Sequence, residues 1–273
     1  MNVIGDIAGQ FKTLEALIKK MPKDTLMSLG DMVDRGPRSK EVLDFFKSHQ
    51  ALLGNHEHLM IDSFEYSQKL HKVGAKVDNW RSVALEHKLK AYYQVGLWID
   101  TNGGDATISS YDPTALRMDG NQILNLDEVI FHLCEIIPQA DIDYLKSLPK
   151  FYEDDQFFLS HAPKMKRKTP QEVSNLGEGF WVHGNRVSDS SLIWNRKEPN
   201  EYAGKIQIFG HNSYESVRAY SAIYPQGIGM DKVIKKKIEL NNVYAYGIDT
   251  SAAKILTGLH LPTMTWYHQP FID

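Results

Sequence analysis

Three glycine-punctuated motifs near the start of the chain carry residue types that bind divalent metal ions. They are Gly5-Asp6-Ile7-Ala8-Gly9, Gly30-Asp31-Met32-Val33-Asp34-Arg35-Gly36 and Gly54-Asn55-His56-Glu57. Carboxylate oxygens, an amide oxygen and imidazole nitrogens together suit hard and borderline ions such as Mn2+, Fe2+ or Zn2+. Further along, Ser160-His161-Ala162 and Gly210-His211-Asn212 add two imidazoles. A single Gly-Asp step is ordinarily a turn, and a lone histidine is more often a hydrogen-bonded core residue than a ligand. The recurrence of these groups is what points to a metal cluster.

Such ligands need strands that deliver them to one edge. Asn2–Ile4 and residues 25–29 and 51–53 are short apolar runs, each followed by Gly-Asp or Gly-Asn. The carboxyl edge of an open α/β sheet is where ligands bind. Between these runs, Phe11, Leu14, Leu17 and Ile18 recur at helical spacing, as do Val42, Leu43, Phe45 and Phe46. Pro37 stands near the first turn of the second helix, where its missing N–H costs little. The β-α-β-α-β order implies parallel strands joined by right-handed crossovers. Residues 57–94 read as mostly helical, a layer packing on the sheet or a cap over the substrate. Residues 124–134 and 139–147 read as two further helices. The pattern then turns to strands at 157–160, 206–209, 219–223, 243–248 and 255–261, with a strand-like segment at 238–240 behind Lys235-Lys236-Lys237. Residues 165–200 are polar and irregular, as expected of a long loop over an active site, where functional residues gather. No linker is evident, so one domain over residues 1–273 is expected.

The motif order resembles the calcineurin-like metallophosphoesterases, in the phosphoprotein-phosphatase branch of phage and bacterial protein phosphatases and diadenosine tetraphosphate hydrolases. That family runs Gly-Asp-x-His-Gly, Gly-Asp-x-x-Asp-Arg-Gly, Gly-Asn-His-Glu, a lone His, then Gly-His. The likeness extends to the Asn102-Gly103-Gly104 segment within residues 98–107, to Leu192-Ile193-Trp194-Asn195-Arg196 and to Gly247-Ile248-Asp249-Thr250. It covers about residues 3–258, nearly the whole chain. It implies an α/β (α+β) fold, a four-layer β-sandwich flanked by helices.

The resemblance also implies a site. Asp31 would bridge two divalent ions, with manganese preferred and iron, zinc or nickel as alternatives. Asp6 would hold the first ion; Asn55, His161 and His211 would complete the second. Two ions roughly 3.5–4 Å apart clamp a phosphate and supply a bridging hydroxide that attacks phosphorus in line. His56 would protonate the leaving group, oriented by Asp34 through its other ring nitrogen. Arg35 and Arg196 would grip the phosphate oxygens bidentately, with Asn55 also near the substrate. Glu57 would hold neighbouring backbone or ligand groups in place. The implied activity is hydrolysis of phosphate monoesters, most like a phage or bacterial protein serine/threonine phosphatase. A dinucleoside polyphosphate or other nucleotide hydrolase shares the same motifs.

Ala8 departs from the pattern, standing where the family has a histidine ligand. A methyl group coordinates nothing. Water or a nearby side chain, such as Gln10 or His183, could fill the position. Alternatively the alanine is an introduced change, or the chain is an impaired relative that binds phosphate without turning it over. Drift would erode several motif residues together, and the others are intact, which argues against the last reading.

Composition limits the alternatives. A net charge of −3 gives no global reason to expect a nucleic-acid or membrane partner. No apolar run approaches the ~18 residues of a membrane span, and the first strand leaves no room for a leader peptide. Cys134 is the single cysteine, which fits a reducing cytoplasm (the host's, if phage-encoded) and a structural thiol rather than a nucleophile. His58, His71, His183, His260 and His268 match no ligand position. Lys164, Lys166, Arg167 and Lys168 flank His161 and read as a solvated loop that could attract a polyanion.

Overall fold

The computed structural model describes residues 1–89, 95–164 and 192–272, with the backbone of 181–182 and 185–186. The three apolar runs form β1 (Asn2–Ile4), β2 (Leu26–Ser28) and β3 (Gln50–Ala51), and β2 pairs in parallel with both β1 and β3. Helices α1 (Phe11–Ile18) and α2 (Ser39–Phe46) make the crossovers. Leu14 and Leu17 of α1, and Val42, Leu43 and Phe46 of α2, are buried, as their spacing predicts.

Alternation along the strands builds two cores from one sheet. Val3 and Met27 point towards a second sheet, while Ile4 and Leu26 point towards the helices. The helical layer continues with α3 (Asn55–Lys72), α4 (Trp80–Glu86), α5 (Gly104–Tyr111), α6 (Leu126–Ile136) and α7 (Gln139–Ser147). Its long member, α3, lies against α6 and α7. Cys134 is part-buried on α6. The helical stretch expected at 57–94 is divided, because Gly74 adopts φ +74° and lets the chain leave α3. Residues 90–94 lie outside the described part.

A small hairpin, β4 (Met118–Asp119) with β5 (Gln122–Ile123), precedes α6. Next come β6 (Phe151–Glu153) and β7 (Phe157–Ser160), then a two-strand ladder of β8 (Trp181–Val182) and β9 (Asn185–Arg186). The chain continues through β10 (Ile206–Phe209), β11 (Arg218–Ser221), β12 (Ile228–Gly229), α8 (Met230–Lys236), β13 (Val243–Gly247), β14 (Ile255–His260) and β15 (Thr265–Pro270). The first sheet has the order β15-β14-β1-β2-β3 and the second β12-β11-β13-β10-β7-β6. Leu159 and Ile208 of the second sheet meet Val3, Met27 and Leu52 across a shared core. The architecture is therefore a β-sandwich with flanking helices, the fold class expected.

Two local readings differ. Residues 238–240 are irregular, and Lys235 and Lys236 instead close α8, where cations favour the negative end of the helix dipole. The sequence reading also stops short of β15, an edge strand whose mixed residues show no clean alternation and whose last residue is Pro270.

Candidate metal centre and acid–base dyad

The strand ends converge. Asp6, Asp31 and Asn55 follow β1, β2 and β3 of the first sheet, and His161 and His211 follow β7 and β10 of the second. All five are buried. Asp31, His161 and His211 place one ligand atom each within 4.8 Å of one another. Asn55 lies among them, its Oδ1 at 2.9 Å from His161 Nε2 and 2.7 Å from His211 Nδ1.

The donor set fits a cation. His161 Nδ1–H is committed to the Leu29 carbonyl at 3.0 Å, so Nε2 is the ring nitrogen turned to the cluster. It faces Asn55 Oδ1 at 2.9 Å and Asp31 Oδ1 at 3.3 Å, acceptor oxygens that a cation would share with the ring in place of a proton. His211 Nε2 is buried without a hydrogen-bond partner. Burial, with His161 and Arg196 adding positive potential, holds the His211 ring well below the usual imidazole range, so it is neutral and able to ligate. Burial alone would raise the Asp31 carboxyl, but the imidazoles of His161 and His56 outweigh it and keep Asp31 ionised.

The half-site expected around Asp6 is poorer. Asp6 accepts the His211 N–H on its two oxygens at 3.1 and 3.2 Å. Burial pushes its carboxyl well up, and the nearby Asp249 and Asp31 charges add to the shift. Ala8 is buried at φ +50° and donates its N–H to Asp31 O at 2.8 Å, but its methyl offers no ligand. Gln10 lines a hollow with Lys12, Arg38 and Ile272 whose lining includes none of the cluster residues. His183 lies outside the described residues, as do Lys166, Arg167 and Lys168. Lys164 is not a solvated charge: it is buried, its ammonium 3.8 Å from the Tyr202 ring centroid.

Beside the cluster, His56 Nδ1 meets Asp34 Oδ2 at 2.6 Å and its Nε2 meets Arg35 Nη2 at 3.1 Å. Burial opposes charge on this ring, yet Asp31 and Asp34 raise its pKa to about 9. The Arg35 contact belongs to the neutral ring, because a guanidinium only donates; protonated His56 must turn Arg35 away. Asp34 is fully buried, and its carboxylate also accepts Trp98 Nε1–H at 2.8 Å and the Thr107 hydroxyl at 2.6 Å. Arg196 Nη1 reaches the His211 carbonyl at 3.4 Å. Glu57 receives four backbone N–H groups, from Asp31, Met32, Val33 and Gly54, and thereby ties two motifs together. Burial, with the Asp31 charge, pushes the Glu57 carboxyl up to about 7.

Residues 2–213 match the calcineurin-like phosphoesterase family. The chain belongs to that family. Among relatives of this phosphoesterase, Escherichia coli serine/threonine-protein phosphatase 2 is 38% identical over 69 residues, 23% of this chain and 32% of that protein. The symmetrical bis(5'-nucleosyl)-tetraphosphatase of Chromobacterium violaceum is 39% identical over 77 residues, 25% of this chain and 28% of that protein. The phosphoesterase thus matches about a third or less of the length of these relatives. A crystal structure provisionally assigned as a diadenosine tetraphosphatase shares the fold, with TM-score 0.50 and 17% identity over 100% of this chain and 93% of that one.

The residues expected from the motifs are thus brought together: the ligand cluster and the His56–Asp34 pair share one edge, with Arg35 and Arg196 beside them. Sequence reasoning passed over Trp98, Thr107 and Asp249 as site residues. Each nevertheless lies in a segment it had marked, at residues 98–107 and 247–250.

Proposed function

We propose that this chain is a metal-dependent phosphoesterase acting on phosphate monoesters, most like a bacterial or phage protein serine/threonine phosphatase of the cytoplasm. The observation that carries this reading is the convergence of Asp31, Asn55, His161 and His211 beside the His56–Asp34 pair. Asp31, Asn55, His161 and His211 would hold one divalent ion, manganese by preference, and Asp6 with Asp31 a second, weaker one. Bound divalent ions neutralise phosphate charge and activate water as a nucleophile. The protein's own groups do the rest. Arg35 and Arg196 draw the phosphate oxygens into register. His56, held by Asp34 and protonated once Arg35 turns to the phosphate, gives its Nε2 proton to the departing oxygen.

A nucleotide-cleaving reading is favoured by the named tetraphosphatase relatives, which match this chain as well as the protein phosphatase does. The test is hydrolysis of 4-nitrophenyl phosphate, a phosphoserine peptide and diadenosine tetraphosphate with Mn2+, by the chain and by Ala8→His. Turnover of the peptide supports the protein-phosphatase reading; turnover of the dinucleotide alone moves the assignment to nucleotides. No turnover by the chain with turnover by Ala8→His identifies an impaired form, and no turnover by either removes the enzyme reading.

A further inference from the structure

Residues 98–107 grip the Asp34-Arg35 step at three separate points. Trp98 Nε1–H donates to Asp34 Oδ2 at 2.8 Å. The Thr107 hydroxyl donates to Asp34 Oδ1 at 2.6 Å and accepts the Asp34 N–H at 2.9 Å. The Gly103 carbonyl accepts the Arg35 N–H at 3.0 Å. Trp98, Thr107 and Asp34 have no exposed surface.

The backbone of both partners is unusual. Asp34 and Arg35 adopt φ +73° and +63°, left-handed values that side-chain-bearing residues rarely hold without outside support. The gripping segment is also irregular. Leu97–Thr101 is a π-helical turn, a feature frequent at functional sites, and Gly103 follows at φ +86° before α5 begins. A Cβ on Gly103 would stand 2.7 Å from Arg35 N and Cγ, so glycine is what permits the approach.

We infer that residues 98–107 form a clamp that positions the acid–base pair, with Trp98, Gly103 and Thr107 as positioning residues. This rests on the phosphoesterase reading above. A carboxylate tied only to His56 can rotate about its side-chain torsions and carry the ring with it. Trp98 bonds the second acceptor position of Oδ2 and Thr107 bonds Oδ1, so both oxygens are anchored and the carboxylate plane is fixed. His56 Nδ1–H then has one place to donate, and Nε2 is aimed towards the leaving oxygen. The Gly103 bond holds the adjoining Arg35 backbone from which the phosphate-binding guanidinium extends. None of the three clamp residues is asked to touch substrate.

A tie that merely stabilises the fold would slow every substrate alike. A clamp on the proton donor shows up where leaving-group protonation matters. The experiment compares Trp98→Phe, Thr107→Val and the conservative Thr107→Ser with the unmodified chain, on an alkyl phosphate and on 4-nitrophenyl phosphate. Circular dichroism checks the fold. Trp98→Phe and Thr107→Val are expected to lose at least about tenfold in kcat on the alkyl ester and less than about threefold on the nitrophenyl ester, with little change in KM. Thr107→Ser is expected to recover most of the loss.

A second readout needs no turnover: the downfield proton NMR signal of His56 Nδ1–H, identified by its absence in His56→Asn. It should be present in the unmodified chain and Thr107→Ser, and lost or broadened in Thr107→Val and Trp98→Phe. Equal losses on both esters with the signal intact would overturn the clamp. If the unmodified chain cleaves neither ester, the monoesterase reading fails for this form, and the NMR signal alone decides whether the clamp exists. If Thr107→Val does not fold, Trp98→Phe decides by the same criteria.

Discussion

Glu57 Oε2 accepts the Asp31 backbone N–H at 2.8 Å, so a residue of the third motif holds the backbone of the carboxylate at the centre of the candidate metal cluster. The same oxygen accepts the Gly54 N–H at 2.9 Å, which caps the start of α3. Glu57 therefore shapes the site without facing it.

Replacing Glu57 by Gln tests this. The amide keeps one acceptor oxygen but turns an NH2 towards backbone donors, so two N–H groups lose their partner in a buried place. A destabilisation of about 3 kcal/mol is expected in denaturant unfolding. Unchanged stability would show that the four bonds are incidental.

Asp31→Asn removes the charge that the two imidazole-bearing loops and the His56 N–H surround. Calorimetric titration with Mn2+ should show the affinity of the full ligand set falling at least about a hundredfold, and hydrolysis should vanish with it. Retained affinity would place the ion elsewhere.

The pH response of the metal-free protein follows from His56. Its folded-state pKa lies near 9, above the ordinary 6.5, so the protonated ring stabilises the fold below pH 6.5. That contribution, of about 3 kcal/mol, disappears as the pH rises through 9. Unfolding midpoints measured between pH 6 and 10 should fall in the unmodified chain and stay flatter in His56→Asn. Parallel curves would refute the assignment.

Ala8→His should add a ligand to the half-site that now has only carboxylates. The expected result is a second Mn2+ equivalent in the titration, with faster hydrolysis. The left-handed φ of +50° already burdens alanine, so the change adds little backbone cost. A titration unchanged from that of the alanine form would mean that the position does not reach the ion.

Much of this was legible beforehand because both the strands and the ligands leave local marks. Phe157–Ser160 and Ile206–Phe209 each carry three apolar residues of four and end at His161 and Gly210-His211. Gln139–Ser147 shows helical spacing and ends just before Leu148-Pro149. What stayed hidden was contact between distant segments. Thr107 resembles any helix threonine until Asp34 is found against it, 73 residues away in the chain. Trp98 marks only the start of the Asn-Gly-Gly segment in the sequence; it is a core residue, and its ring nitrogen alone reveals the carboxylate. The strand β15 lacked a readable pattern because an edge strand half in water carries mixed residues.

The candidate ligands come from both sheets, three from one and two from the other, and this makes the site a seam. A cation seated between Asp31 and the two histidines would act as a stitch across it, drawing the sheets together where the shared apolar core gives out. Catalysis and mechanical closure would then rest on the same ion. Without it, that end of the sandwich would be held only by the hydrogen bonds among its own side chains, so it is where the folded chain would loosen first.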